Sequence, residues 1–348
     1  MDFTPTADQQ ALGEAVAALV AGRLPLEALR GREEEAEALR PAELAELGQA
    51  GVFSLALPEA RGGLGLGLAE AVVVFEELGR TLVPGPLVGT ALAAGLVPGA
   101  AEGAVAVGVL TGGGGGPGPL VVEHLEGLGA LLVLPGPTAD GPAVVVDAAT
   151  LDGRRLAPAL DPLTPVWALA DRPGGGTEVE GGATEARRLF RAGAVLTAAL
   201  QVGTAAECVD RAVAYAGERE QFGRPIGAFQ AVKHLCADML VKAEVARAAV
   251  HAAACLADQP EAAAVEAGLA GTDVETALLR AAAGAKLLAD EAAVGNVRTA
   301  VQVHGGMGFT WEVPLHLHLK RARLRATTFG TPTEGAATVA GSRSGAPA

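Results

Sequence analysis

The sequence predicts a mainly α-helical protein with a small β region set between two helical ones, and three observations lead there. Apolar residues recur at helical spacing from Asp8 to about Pro98. Short β-prone runs cut by turn residues fill about 102–177, and long amphipathic segments return from Thr184 to about Phe329. These shifts divide the chain into an N-terminal helical domain at 1–101, a reduced, barrel-like middle β domain at 102–183, a C-terminal four-helix bundle at 184–330 and a disordered tail at 331–348.

In the first zone Leu12, Val16, Leu19 and Val20 mark one helical stripe. Pro41 to Leu47 opens with a proline and then carries acidic residues, as the first turn of a helix prefers. Gly62 to Pro86 reads as a Gly-rich loop, a helix from about Leu68 and a Gly/Pro stop. The middle zone holds AVAVGVL (Ala104 to Leu110), LLVLPG (Leu131 to Gly136) and AVVVD (Ala143 to Asp147), runs too short for helices. Helices are expected over Ala186 to about Ala216, Phe229 to Ala257, Val274 to Val303 and Pro314 to Thr327. Ile226, Phe229, Val232, Cys236, Met239, Leu240 and Ala243 recur every three or four residues, an apolar face for packing on other helices.

Composition narrows the class. With 50% hydrophobic residues and a mean hydropathy of +0.34, the 348-residue chain is too apolar to be disordered. Forty Asp+Glu against 26 Lys+Arg give a net charge of −14, which argues against nucleic acid or an anionic membrane as partner. No apolar run approaches the roughly 20 residues that span a bilayer, and MDFTPTADQQ lacks the basic-then-apolar order of a secretory leader. Cys208, Cys236 and Cys255 are too few and too far apart for a disulfide framework, so a reducing cytoplasm is expected. Glycine stands out: 48 residues, about twice average usage, beside 3% aromatics.

Most motif-like features reduce to structure. Gly113, Gly115 and Gly118 spell GxGxxG within GGGGGPG, but extended residues follow where a dinucleotide fingerprint needs a helix, so a surface loop is expected. His316 and His318, two apart, fall on different faces of a helix and cannot share a metal. His124, His234 and His251 are isolated, His304 reads as a helix-end packing residue, and no metal site is expected. No serine elbow or cysteine signature appears. Two stretches resist this treatment. Glu218 to Gln230 places a guanidinium, an amide and an aromatic ring beside a helix start, a reasonable cradle for a phosphate next to a ring system. Gln302 to Glu312 ends a helix on three glycines that allow close backbone approach.

EREQFGRPIGAFQAVKHLCADM and QVHGGMGFTWE resemble the two flavin-contacting segments of the acyl-CoA dehydrogenase family, and AELAELGQAGVFSLALPEARGGLGLGLAEAVVVFEELGR is similar to its N-terminal helices and Gly-rich loop. The resemblance implies the family fold, FAD as cofactor and oxidation of an acyl-CoA thioester to its 2,3-enoyl form. A carboxylate would remove the α proton while the β hydrogen leaves as hydride to the flavin. It further implies that Arg219, Gln221 and Phe222 contact the adenine-diphosphate end of FAD on a neighbouring subunit. Gln302, Gly305 and Gly306 would line the same flavin from the facing chain.

The sequence also departs from the family pattern. Where many members carry the base as the Glu of an EGT tripeptide, this chain reads Phe329-Gly330-Thr331; where others carry it 26 residues before the RxxFG arginine, it has Gly193. The TEPxAGS stretch and the following tryptophan beside the flavin ring give way to Leu110-Thr111 and five glycines. The chain therefore resembles the short subunits that pair with a second dehydrogenase chain in actinobacterial steroid or lipid catabolism, with an electron-transferring flavoprotein as a possible acceptor. Glu312, Glu334 and Glu185 stand as candidates for a displaced base in a self-sufficient enzyme. A non-catalytic scaffold subunit is the third reading.

Overall fold

The computed structural model describes residues 3–32, 40–112, 120–261 and 272–341. The N-terminal region contains α1 (Ala7–Arg23), α2 (Leu26–Arg30), α3 (Pro41–Gln49), α4 (Leu68–Arg80) and α5 (Leu87–Ala93). Thr6 and Gln9 close a capping box on α1, and Pro41 opens α3, where its missing N–H costs nothing. In α4, Val72, Phe75 and Leu78 recur at helical spacing and are wholly buried.

The middle region contains β1 (Val107–Thr111), β2 (Leu120–Glu123), β3 (Ala130–Leu134), β4 (Val144–Asp147), β5 (Gly153–Leu156), β6 (Val166–Leu169) and β7 (Thr177–Glu178). They form two sheets, ordered β1-β3-β4-β7 and β2-β6-β5, with β1 and β3 parallel and the other pairs antiparallel. Among the described residues the expected barrel-like closure is not formed: strands of two to five residues leave both sheets open-ended. Instead the sheets face each other around Leu110, Leu131, Val133, Val146 and Trp167. Strand β3 alternates as the pleat dictates, turning Leu131 and Val133 into this small core and Ala130, Leu132 and Leu134 into the main one shared with the helices.

The C-terminal region is built on α6 (Gly182–Glu218), followed by β8 (Glu220–Gln221), β9 (Arg224–Pro225), α7 (Gln230–Asp258), α8 (Thr272–His304), α9 (Leu315–Arg325) and α10 (Pro332–Ala340). Helix α6 is long and apolar enough to cross a membrane, which the sequence reading did not anticipate, but its apolar stretch is 94% buried and serves as the core helix of the bundle. Buried charge ties the layers together. Lys286 on α8 pairs with Asp290 at 2.6 Å, and Gln201 on α6 donates to both Asp290 and the Ala322 carbonyl at 2.9 Å.

Three expectations are corrected. Leu240, assigned to the packed face of α7, is about half exposed beside Val241 and Val245, while Met239 and Ala243 point inward. Part of the expected disordered tail is helical: Thr331 and Glu334 form a capping box that starts α10. The run Gly113 to Gly118, read as a surface loop, lies outside the described residues.

Candidate active site

Helix α6 ends at Glu218, and the Arg219 N–H still reaches the Tyr215 carbonyl at 2.8 Å. Strands β8 and β9 then make a two-residue hairpin whose turn is Phe222-Gly223, at φ +53° and +77°. Two positive φ values match the turn that suits strand twist, but a bulky residue at the first position is strained. Phe222 is 91% exposed, with Phe229 edge-on to it at 6.2 Å and the Arg224 guanidinium stacked over Phe229 at 4.2 Å. An outward-facing ring on a strained turn is a feature that packing does not explain.

The second motif meets the first at the same end of the bundle. His304, last residue of α8, bonds through Nδ1 to the Ala300 carbonyl at 2.8 Å and stacks on Tyr215 with ring centroids 4.2 Å apart. That contact fixes Gln302, Gly305 and Gly306, all exposed, beside the α6 terminus that carries Arg219, Gln221 and Phe222. A Cβ at Gly305 or Gly306 would meet nothing within 4 Å, and Gly305 has φ +59°. Gly308 differs: it is buried, and a Cβ there would fall 2.6 Å from the Val301 carbonyl oxygen, so it serves helix packing.

Some thirty-nine ångströms back along α6, at about 1.5 Å per residue, the two expected base positions touch each other. A Cβ on Gly193 would lie 2.0 Å from Cε1 of Phe329, so the phenyl ring fills the space a side chain at 193 would need. Phe329 is buried at φ +53° and packs edge-on against Phe190 at 5.8 Å. Its ring is a shared wall between a cavity of about 350 Å³, reaching β1, β2, α5 and α9, and one of about 500 Å³ against α8 and α10.

The three displaced-base candidates sit in different settings. Glu312 is exposed; Glu334 accepts from the Thr331 N–H at 2.7 Å as the cap of α10, on the rim of the larger cavity; Glu185 binds Arg188 through both oxygens at 2.7 and 2.6 Å. Sequence reasoning missed two further carboxylates that line these cavities. Asp290 borders the larger one, its carboxyl raised by burial against the opposing pull of Lys286. Glu123 borders the smaller one, also raised by burial. Nothing in the local sequence marks either residue. The histidines hold no metal cluster among the described residues. His316 is pushed down to about 4 by burial and by Lys320 and Arg30, while His318, wholly buried beside Arg211, Arg321 and Arg325, lies well below its ordinary value.

Residues 6–101 match the N-terminal domain of acyl-CoA dehydrogenase and residues 180–334 its C-terminal domain. The chain belongs to the acyl-CoA dehydrogenase family. By that membership it is an oxidoreductase. Acyl-CoA dehydrogenase IpdE2 of Mycolicibacterium smegmatis is 34% identical over 340 residues, covering 94% of this chain and 96% of that one. Among solved structures, the ChsE4-ChsE5 complex from Mycobacterium tuberculosis superimposes with a TM-score of 0.80 at 25% identity, covering all of both chains. The steroid ACAD Tcur3481-Tcur3483 gives 0.76 at 27%, covering 96% and 97%.

The acyl-CoA dehydrogenase family implies flavin, and the two ends of the site answer that differently. At the bundle end, a forked guanidinium, an exposed ring and two bare glycines suit a pyrophosphate and the ring system attached to it. At the other end, Phe329 and Gly193 fill each other's space, and neither base position carries a carboxylate.

Proposed function

We propose that this chain is one half of a two-chain, FAD-dependent acyl-CoA dehydrogenase that converts an acyl-CoA thioester to its 2,3-enoyl form. The observation that carries the reading is the interlock of Phe329 with Gly193, far along α6 from an exposed bundle end that carries Arg219 and Phe222. Arg219 would clamp the diphosphate, Phe222 would stack on the adenine, and Gln221, Gln302, Gly305 and Gly306 would line its approach. The catalytic carboxylate comes from a second, longer dehydrogenase chain, whose flavin these residues hold. Bound flavin supplies the hydride acceptor. This chain's own residues orient the cofactor and exclude water from it. Similarity to the ChsE4-ChsE5 complex and to the steroid ACAD supports both the heteromeric assembly and a steroid-derived acyl group as substrate class.

The full chain purified alone is expected to show little flavin absorbance and no acyl-CoA oxidation, with both appearing on co-purification with its partner. Arg219→Ala in the pair should strip flavin without dissociating the chains. Full flavin loading with brisk turnover by the single chain would overturn the two-chain reading. A stable pair that binds no flavin would establish a scaffold subunit instead.

A further inference from the structure

The two motifs at the bundle end meet on one residue. Tyr215, the chain's single tyrosine, lies in the last turn of α6. Its carbonyl accepts the Arg219 N–H at 2.8 Å, so its backbone sets where the first motif leaves the helix. The rest of that motif folds back on the same turn. The Ile226 N–H donates to the Arg219 carbonyl at 2.7 Å, and a Cβ on Gly227 would lie 2.9 Å from the Ala216 carbonyl oxygen. The Tyr215 ring meets the second motif, lying nearly parallel to His304, at 18° and with 4.2 Å between centroids. His304 is buried, and because a carbonyl can only accept, its Nδ1 carries the proton donated to Ala300. Burial draws its pKa below the ordinary value against the bond to Ala300, and Arg211 adds repulsion, so a neutral imidazole stacks on the phenol.

Gly305 and Gly306 follow His304 directly and have no side chains with which to hold their own position. Gly308 packs on α8, the helix that carries the motif, and so fixes the turn only to its own helix. The ring stack acts across the bundle: it sets the distance between Arg219, at the end of one helix, and two bare glycines at the end of another. We propose that Tyr215 and His304 are positioning residues for the FAD diphosphate, Tyr215 ordering Arg219 through its carbonyl and Gly305-Gly306 through the His304 ring. They act on the cofactor through these neighbours. Stacked rings have a preferred geometry as well as bulk, so an aliphatic side chain of similar size does not replace either one. The inference rests on the two-chain reading and adds to it the two side chains that keep its grip in register.

Release of FAD from the co-purified pair on dilution, followed by flavin fluorescence, tests it. Tyr215→Leu is expected to raise the FAD dissociation constant about tenfold, the upper range for an aromatic pair expressed as affinity, and His304→Ala likewise. Tyr215→Phe keeps the ring and should retain FAD as the native pair does. Asp258→Ala, which removes a helix cap at the opposite end of α7, should lower the unfolding midpoint without changing FAD release. Equal loss of FAD from Asp258→Ala, or no rescue by Tyr215→Phe, reduces the stack to a structural contact and overturns the proposal. Arg219→Ala separates the two levels. If it frees FAD while Tyr215→Leu and His304→Ala retain it, the positioning role fails and the two-chain reading stands. If it too retains FAD, or if the native pair holds none, both fail. Should Tyr215→Leu fail to fold, His304→Ala decides by the same measurement.

Discussion

Phe329 and Gly193 are 136 positions apart in sequence, and each looks like a simple loss when read alone. Their contact makes them one event, since a side chain at 193 and the ring at 329 exclude each other. Gly193→Ala is therefore expected to destabilise the chain by about 1–3 kcal/mol through overpacking. Gly193→Ala/Phe329→Ala should lose less than the sum of the single changes; denaturant titration of all four members of the cycle measures the coupling. At the other end, Phe222→Gly removes a bulky residue from positive φ, where such strain costs of order 1–3 kcal/mol. Its thermal midpoint should hold or rise while flavin retention in the assembled pair falls. Arg219, Gln221, Phe222, Gln302, Gly305 and Gly306 could be singled out in the sequence because short motifs carry them. Arg325, Glu123 and Asp290 were not, because a charged residue in a helix or strand reads as a solvated one until the tertiary structure buries it.

The long helices were legible to within a few residues, since apolar periodicity is strongest over many turns; the expected Ala186 to Ala216 proved to be Gly182–Glu218. Periodicity cannot say which apolar face meets a neighbour, and that is why Leu240 was misplaced. The start of α10 carried a readable capping signature, Thr331 followed by Glu334, which the compositional reading of the tail passed over. Contacts between elements were beyond sequence reasoning. Asp258, at the end of α7, accepts from the Leu68 and Ala69 N–H groups at 2.8 and 2.9 Å and so caps α4 from 190 residues away. Asp258→Ala should cost about 0.5–2 kcal/mol, the range for a lost cap, read from the shift in unfolding midpoint.

A second tie joins the same two helices. Glu76 on α4 accepts from Arg247 on α7 at 2.8 Å, with His251 Nε2 at 3.9 Å. Burial opposes its charge, but His251 and Arg247 outweigh that, and its carboxyl ends below the ordinary value. A lowered carboxylate contributes stability that is present above its unfolded pKa and lost as pH falls through the folded one. The stability gap between the native chain and Glu76→Gln should therefore narrow as pH falls below the ordinary glutamate value of about 4.5, in parallel denaturation series.

For the molecule as a whole, the three-region plan was visible in composition, while the absence of barrel closure was not, because strand pairing depends on partners far apart in sequence. Val241 and Val245 stand about one turn apart on the outer side of α7, 61% and 51% exposed. Under the two-chain reading this apolar side is covered on assembly. Val241→Asp should leave the isolated chain's unfolding midpoint nearly unchanged yet shift the pair toward separate chains on size-exclusion chromatography.

Helix α6 joins the two ends of the site as a single rod, with Gly193 near its start and Arg219 at its exit. Some 26 residues of helix separate them; the phenyl ring of Phe329 fills the space at Gly193, while the hairpin at the other end is held by its own pairing of Glu220 with Pro225 and Gln221 with Arg224. Selection can thus act on each end independently. A duplicated gene could abandon chemistry at one end in a few substitutions and still be kept for what it grips at the other, so the fold permits labour to be divided between sister chains without being redesigned.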